Sequence, residues 1–273
     1  MKLERVQSAD GTSVAFERTG RGPPLILVGG AFCDRKAPTS GTPLAALLAH
    51  RFTVWSYDRR GRGDSEDRAP YAIDEEVQDL SALITAAGGS AFVFGNSSGG
   101  LLALDAAAQG LPIPKLVLYE PPVILDTTRA KHFEALAKQL DEAAAGGHRS
   151  EAVELYFTQV MQMPEPGLAR MRASPMWEGL ERLAHTLSYD LRITARGATR
   201  LEQMPAVRSE TLVMDGGASP PWMRETIQTL ARAIPQARHQ TLEGQTHAVD
   251  PRALARALEE FLGECWRADH VET

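Results

Sequence analysis

At 273 residues the chain exceeds the usual single domain but suits one large α/β domain carrying an insertion. Its 43% hydrophobic and 23% charged residues exclude wholesale disorder and fibrous architectures. A formal net charge of −6 counts against nucleic acid or an anionic membrane as partner, because neither polyanion is attracted by the average field of this chain.

Taken in chain order, the polar N-terminal stretch lacks an apolar core followed by a small-residue cleavage site, so nothing there directs secretion. The longest apolar run, 25–33, contains two glycines and is too short for the roughly 20 helical residues that span a bilayer. The two cysteines, Cys33 and Cys265, form no disulfide framework and fit a reducing compartment; a cytoplasmic protein is the expectation. Residues 1–18 alternate polar and apolar around Asp10-Gly11, a hairpin dipeptide, and are read as an antiparallel edge. The short β-rich runs 24–28, 52–57, 91–94, 115–119, 210–214 and 239–242 are mostly apolar on both faces and separated by helical patterns. That alternation predicts a mostly parallel central sheet flanked by helices.

Between 122 and 205 only helical patterns occur. Phe133, Leu136, Ala137 and Leu140 share one face, and Gly146-Gly147 ends that helix. Ser150 is placed to cap a second helix carrying Val153, Phe157, Val160 and Met161, stopped before Pro164. Ser174-Pro175 opens a third stripe through Leu180, Leu183, Ala184 and Leu187. The expected organisation is therefore a core of residues 1–121 and 206–273 with a helical cap, 122–205, inserted into it.

The strongest chemical signal is Phe92-Val93-Phe94-Gly95-Asn96-Ser97-Ser98-Gly99-Gly100, a G-x-S-x-G turn between a strand and a helix. A nucleophile on so sharp a turn needs small neighbours, and the free N–H groups of the following helix face the charge that develops on an attacked carbonyl. Ser97 is centred between Gly95 and Gly99; Ser98 follows it, with its backbone N–H placed for an oxyanion hole. Seven histidines are available as the base a serine hydroxyl requires. His247 lies in the loop after the last predicted strand, where loops converge on the ligand crevice of a parallel sheet. His50, His148, His239 and His270 read as exposed helix-end or terminal residues, and His132 and His185 as surface or packing residues of the cap.

With Ser97, His247 and the turn Asp58-Arg59-Arg60-Gly61-Arg62-Gly63-Asp64-Ser65, nearly the whole chain resembles the α/β-hydrolase superfamily. The turn matches that family's D-x-x-G-x-G-x-S pattern at Asp58, Gly61, Gly63 and Ser65 and implies a structural role, its three arginines being solvated or turn-bracing. The resemblance also implies a second oxyanion N–H after residues 24–28. Gly29-Gly30 replaces the His-Gly pair common there, which puts the donor at Ala31 with Phe32 next in line. The chain departs from the family at the triad acid, since the place of the usual aspartate, three residues beyond Gly216, holds Ser219. Glu120, at a strand mouth and followed by Pro121-Pro122, is the better-placed replacement, and Asp215, inside the later strand, is the alternative. The G-x-S-S-G elbow, a glutamate before proline at that strand end, and the missing aspartate are together similar to zearalenone-type lactonases. Haloalkane dehalogenases carry their acid at the same strand end.

The resemblance implies attack by Ser97 on an ester or lactone carbonyl, without metal or organic cofactor. Phe32, Met161 and Trp177 are the candidate walls of an apolar pocket for a small-molecule substrate. Other chemistry on the same fold (thioesterase, cyclase, lyase or cofactor-free haloperoxidase) and a non-catalytic binding role are the alternatives. Nothing in the residues speaks to oligomeric state.

Overall fold

In the computed structural model, which describes residues 2–263, eight strands form one sheet in the order β1-β2-β4-β3-β5-β6-β7-β8. They are β1 (Leu3–Gln7), β2 (Ser13–Thr19), β3 (Pro24–Val28), β4 (Thr53–Tyr57), β5 (Phe92–Asn96), β6 (Lys115–Tyr119), β7 (Glu210–Gly216) and β8 (Ala237–Leu242). β1 and β2 pair antiparallel about the Asp10-Gly11 turn, where Gly11 takes φ +84° and Asp10 accepts the Thr12 N–H at 2.9 Å. β2 meets β4 antiparallel, and every later pairing is parallel.

Side chains alternate across the parallel strands, so each strand feeds two cores. Ile26, Val28, Val93, Leu116 and Leu118 pack under α2 (Ile73–Ala86), α3 (Ser98–Ala108) and α10 (Pro221–Ala233). Leu25, Leu27, Phe94, Val117 and Tyr119 face the opposite layer, α1 (Thr42–Leu48) and α11 (Pro251–Gly263). Burial on both faces explains why these strands read as apolar runs without a polar side.

After β6 the chain leaves the sheet and returns only at β7. The intervening helices, among the described residues, are α4 (Thr127–Ala145), α5 (Arg149–Leu155), α6 (Glu165–Arg172), α7 (Trp177–Arg182), α8 (Leu187–Ala195) and α9 (Gly197–Gln203). Asp126 caps α4 by accepting the Thr128 N–H at 2.8 Å, and Phe133, Leu136, Ala137 and Leu140 are buried on its inner face. These helices have an apolar cluster of their own, against which Ala31 and Phe32 of the core also pack.

Three local expectations change. Ser150 does not cap α5; it lies within the helix, and its Oγ accepts the Trp177 indole N–H at 3.1 Å. That helix widens into a π-turn over Tyr156–Val160. Ser174 turns its hydroxyl back to Met171 O at 2.7 Å, so α7 begins at Trp177 instead of beside the Ser174-Pro175 pair. Cys265 and His270 lie outside the described residues.

The turn at 58–65 is structural, as expected. Asp58 accepts the N–H groups of Arg35 at 2.7 Å and Asp64 at 2.9 Å, and Ser65 Oγ donates to Asp58 O at 2.6 Å. Its arginines, however, are not solvated: Arg59, Arg60 and Arg62 are 2%, 0% and 1% exposed. Each is neutralised by carboxylates from outside the turn, which a charge needs before it can be buried.

Candidate active site

Ser97 sits between β5 and α3 with φ 55° and ψ −129°, a conformation that L-residues occupy only under local constraint. The constraint is close backbone packing. A Cβ on Gly99 would stand 2.4 Å from Gly29 O, and one on Gly30 would stand 2.9 Å from Ser97 Cβ, so glycine is required at both places. Ser97 remains half-buried between buried neighbours.

His247 follows β8 in the loop that leads to α11, and its Nδ1 lies 2.8 Å from Glu120 Oε2. Glu120 is 0% exposed and has φ 44°. Its second oxygen, Oε1, accepts the Gly216 N–H at 2.9 Å. Burial opposes its ionisation. The hydrogen bonds from His247 and Gly216 outweigh that penalty, and the carboxyl is held below its usual range. The nearby Ser219 hydroxyl acts in the same direction, although its Oγ forms no full hydrogen bond. With Nδ1–H donating to Glu120, Nε2 is left to accept a proton.

One residue, Tyr119, links Ser97 to the loop that carries His247. Ser97 N–H donates to Tyr119 O at 3.0 Å, and Tyr119 Oη donates to Thr246 O at 2.6 Å. Among the described residues no hydrogen bond engages Ser97 Oγ; in substrate-free sites such bonds are commonly long and tighten on binding. The N–H groups of Ala31 and Ser98 are likewise free of hydrogen bonds among the described residues, the latter because it opens a helix.

Asp215 is 0% exposed, and its ionic neighbours are His239 Nε2 at 3.3 Å and Arg224 Nε at 3.7 Å. His239 is exposed, as expected, but it lies within β8 with its ring toward a carboxylate and not at a helix end or terminus. His185 Nε2 meets Gly61 O at 2.7 Å, tying the segment before α8 to the 58–65 turn.

Of the candidate pocket residues, Phe32 has φ 57°, stacks on Phe157 with ring centroids 5.3 Å apart, and meets Tyr156 edge-on at 5.2 Å. Trp177 joins the same group through Phe157 at 6.4 Å. Met161 is 50% exposed. Among the described residues no group of three or more His, Cys, Asp or Glu is arranged to hold a metal ion, and no helix is long and apolar enough to cross a membrane.

Sequence reading missed Asp190. It lies on α8 at 0% exposure and accepts hydrogen bonds from Ser98 Oγ, Arg59 and Arg62. The available signal was the crowding of three arginines into the 58–65 turn, whose Asp58 is already engaged by the turn's own N–H groups and by Arg35. Burying all three guanidiniums demands acids from elsewhere in the chain.

The model of the alpha/beta hydrolase family matches residues 25–257. The crystal structure of an alpha/beta hydrolase from Sphaerobacter thermophilus is similar at 47% identity, with a TM-score of 0.84 over 95% of this chain and 100% of that one. RutD of Cronobacter turicensis, a provisionally assigned carbamate hydrolase, is 28% identical over 240 residues, 83% of this chain and 86% of its own length. The enol-lactonase from Burkholderia xenovorans shares the fold, with a TM-score of 0.66 and 23% identity over 96% of this chain and 100% of that chain. The family match spans most of the residues that build the sheet and its covering helices, and the chain belongs to the alpha/beta hydrolase family.

Proposed function

We propose that the chain is a serine hydrolase that cleaves a carboxylic ester or lactone of a mainly hydrophobic small molecule through an acyl-enzyme on Ser97. The observation that carries this reading is the 2.8 Å contact between His247 Nδ1 and the buried Glu120 carboxylate, formed beside a serine held at positive φ on a strand-to-helix turn. A carboxylate on Nδ1 fixes the tautomer in which Nε2 is a base and stabilises the imidazolium once it forms.

In the proposed course Ser97 Oγ attacks the carbonyl carbon and its proton passes to His247 Nε2. The oxyanion accepts hydrogen bonds from the Ala31 and Ser98 N–H groups. As the C–O bond to the leaving group breaks, the imidazolium protonates the departing oxygen. Water, deprotonated by His247, then attacks the acyl carbon; the bond to Ser97 Oγ breaks, the imidazolium returns the proton to that oxygen, and the acid is released.

The segment 122–205 is read as a cap, because its apolar cluster reaches Ala31 and Phe32, which directly follow the Gly30 that packs on Ser97. Phe32, Tyr156 and Phe157 offer aromatic surface there, which favours an apolar acyl or ring portion of the substrate. The ester or lactone reading is further supported by the resemblance of the G-x-S-S-G elbow, Glu120 before proline and Ser219 at the usual aspartate's place to zearalenone-type lactonases.

Stoichiometric labelling by a fluorophosphonate probe tests the nucleophile. Ser97→Ala is expected to abolish labelling and to lower ester turnover by at least about 10⁴-fold. A panel of p-nitrophenyl esters, lactones, thioesters and carbamates then ranks the bond cleaved. Labelling that persists in Ser97→Ala would overturn the assignment.

A further inference from the structure

The two backbone segments that would hold the oxyanion are joined by a carboxylate from outside the sheet. The loop after β3 is gripped through its carbonyls: Arg62 Nη1 donates to Gly30 O and, at 3.3 Å, to Cys33 O, and Arg59 Nη1 donates to Gly29 O at 3.2 Å. Ala31 lies between those anchors. On the other side, Ser98 Oγ donates to Asp190 Oδ1 at 2.7 Å. The same carboxylate accepts Arg59 Nη1 on Oδ1 and Arg62 Nη2 on Oδ2, each at 2.8 Å. Arg59 is completed by Glu76, at 2.6 Å and 2.7 Å. Asp190, Arg59, Arg62 and Ser98 are all at most 2% exposed.

From this geometry we infer that Asp190 is a positioning residue, which sets the separation of the Ala31 and Ser98 N–H groups from a helix of the segment 122–205. The inference rests on reading those two N–H groups as the oxyanion donors. One carboxylate fixes both sides: through two guanidiniums it holds the loop carrying Ala31, and through one hydroxyl it holds the first residue of α3. Arg62 is the tightest link, since it alone bonds both the Asp190 carboxylate and the two carbonyls that flank Ala31 and Phe32. Oxyanion stabilisation depends on donors aimed where charge appears in the transition state, and a misplacement of about 1 Å is enough to cost about 10²-fold in rate. α8 would then serve catalysis as well as cover the site. Asp190 carries the negative charge that both guanidiniums require. Burial opposes that charge, but Arg62 and Arg59 hold the carboxyl below its usual range.

Two variants separate positioning from mere packing. Ser98→Ala keeps the backbone N–H and deletes only the hydroxyl link; Asp190→Asn keeps the shape and removes the charge. With p-nitrophenyl butyrate, each folded variant is expected to lose about 10- to 100-fold in kcat with KM nearly unchanged. Affinity for a trifluoromethyl ketone, which forms a tetrahedral adduct with Ser97, should fall in parallel with kcat/KM. Ser98→Ala retains both arginine–carboxylate contacts, so it carries the test alone should Asp190→Asn fail to fold. Wild-type turnover accompanied by variants of unchanged kcat and unchanged ketone affinity would overturn the positioning role and leave the hydrolase reading standing. A wild-type chain that neither hydrolyses the ester nor is labelled at Ser97 would overturn both.

Discussion

Glu120 occupies a backbone conformation that its side chain alone does not favour, and the bonds on either side of it supply the reason. Its N–H donates to Met214 O at 3.0 Å while its carboxylate receives Gly216 N–H and His247, so both ends of the residue are held by other parts of the chain. In the proposed triad the acid is Glu120, at the end of β6; Ser219, where the resemblance would have put an aspartate, has its hydroxyl beside the same carboxylate. Glu120→Gln, which keeps the shape and loses the charge, is expected to lower kcat by about 10³- to 10⁴-fold. Asp215→Asn is expected to leave kcat near the wild-type value, because its ionic neighbours are His239 and Arg224. Steady-state kinetics on one ester substrate check both, and the reverse pattern would assign the acid to Asp215. A carboxylate restored at the family's usual place, Ser219→Asp in a Glu120→Ala background, should recover part of the lost kcat. Glu120 was legible in the sequence because a strand end followed by two prolines is a local feature. The same strand-mouth position already put it ahead of Asp215; which imidazole each carboxylate faces, His247 for Glu120 and His239 for Asp215, is decided only by tertiary packing.

Helical elements between β6 and β7 show how far periodicity carries. α4 follows its apolar spacing and its Gly146-Gly147 stop because both are properties of contiguous residues. The start of α5 does not follow, because Trp177 from another helix takes the Ser150 hydroxyl. The π-turn at Tyr156–Val160 likewise accompanies a tertiary contact, the packing of Tyr156 and Phe157 against Phe32 of the core. π-turns of this kind commonly mark functional sites. Trp177 is 8% exposed and its indole N–H bonds Ser150 and Glu181, so Trp177→Ala is expected to destabilise the fold by about 3–5 kcal/mol in urea denaturation. Met161→Ala, at a half-exposed position, is expected to change stability by no more than about 0.5 kcal/mol. Phe32→Ala should shift the preference among p-nitrophenyl acyl lengths toward longer chains. An unchanged length profile would remove Phe32 from the pocket.

Across the whole molecule, buried charge links the sheet, the 58–65 turn and α8. Burial opposes ionisation of Asp190, Glu76 and Glu120, yet the arginines about the first two and His247 beside the third leave all three carboxyls below their usual range. Each binds its proton more weakly folded than unfolded. The stability they contribute is therefore complete above the ordinary carboxylate value, about pH 4, and is lost as pH falls through the depressed folded values. Asp58 and Asp79 are pushed up by burial, which their hydrogen-bonded partners only partly offset, and they work in the opposite sense on the same limb. The expected calorimetric Tm is level from neutral pH down to about 5 and declines below about 4; a Tm that rises on acidification would contradict the network's role. The strand runs, the glycine-lined serine turn and the histidine loop are all legible in the residues themselves, because hydrophobic patterning and backbone sterics act between residues near one another along the chain. The burial of Arg59, Arg60 and Arg62 is not. Whether a guanidinium is solvated or enclosed depends on a counter-charge, and one of the two that enclose Arg59 comes from Asp190, 131 positions further on, at a meeting that exists only after the sheet and α8 have packed together.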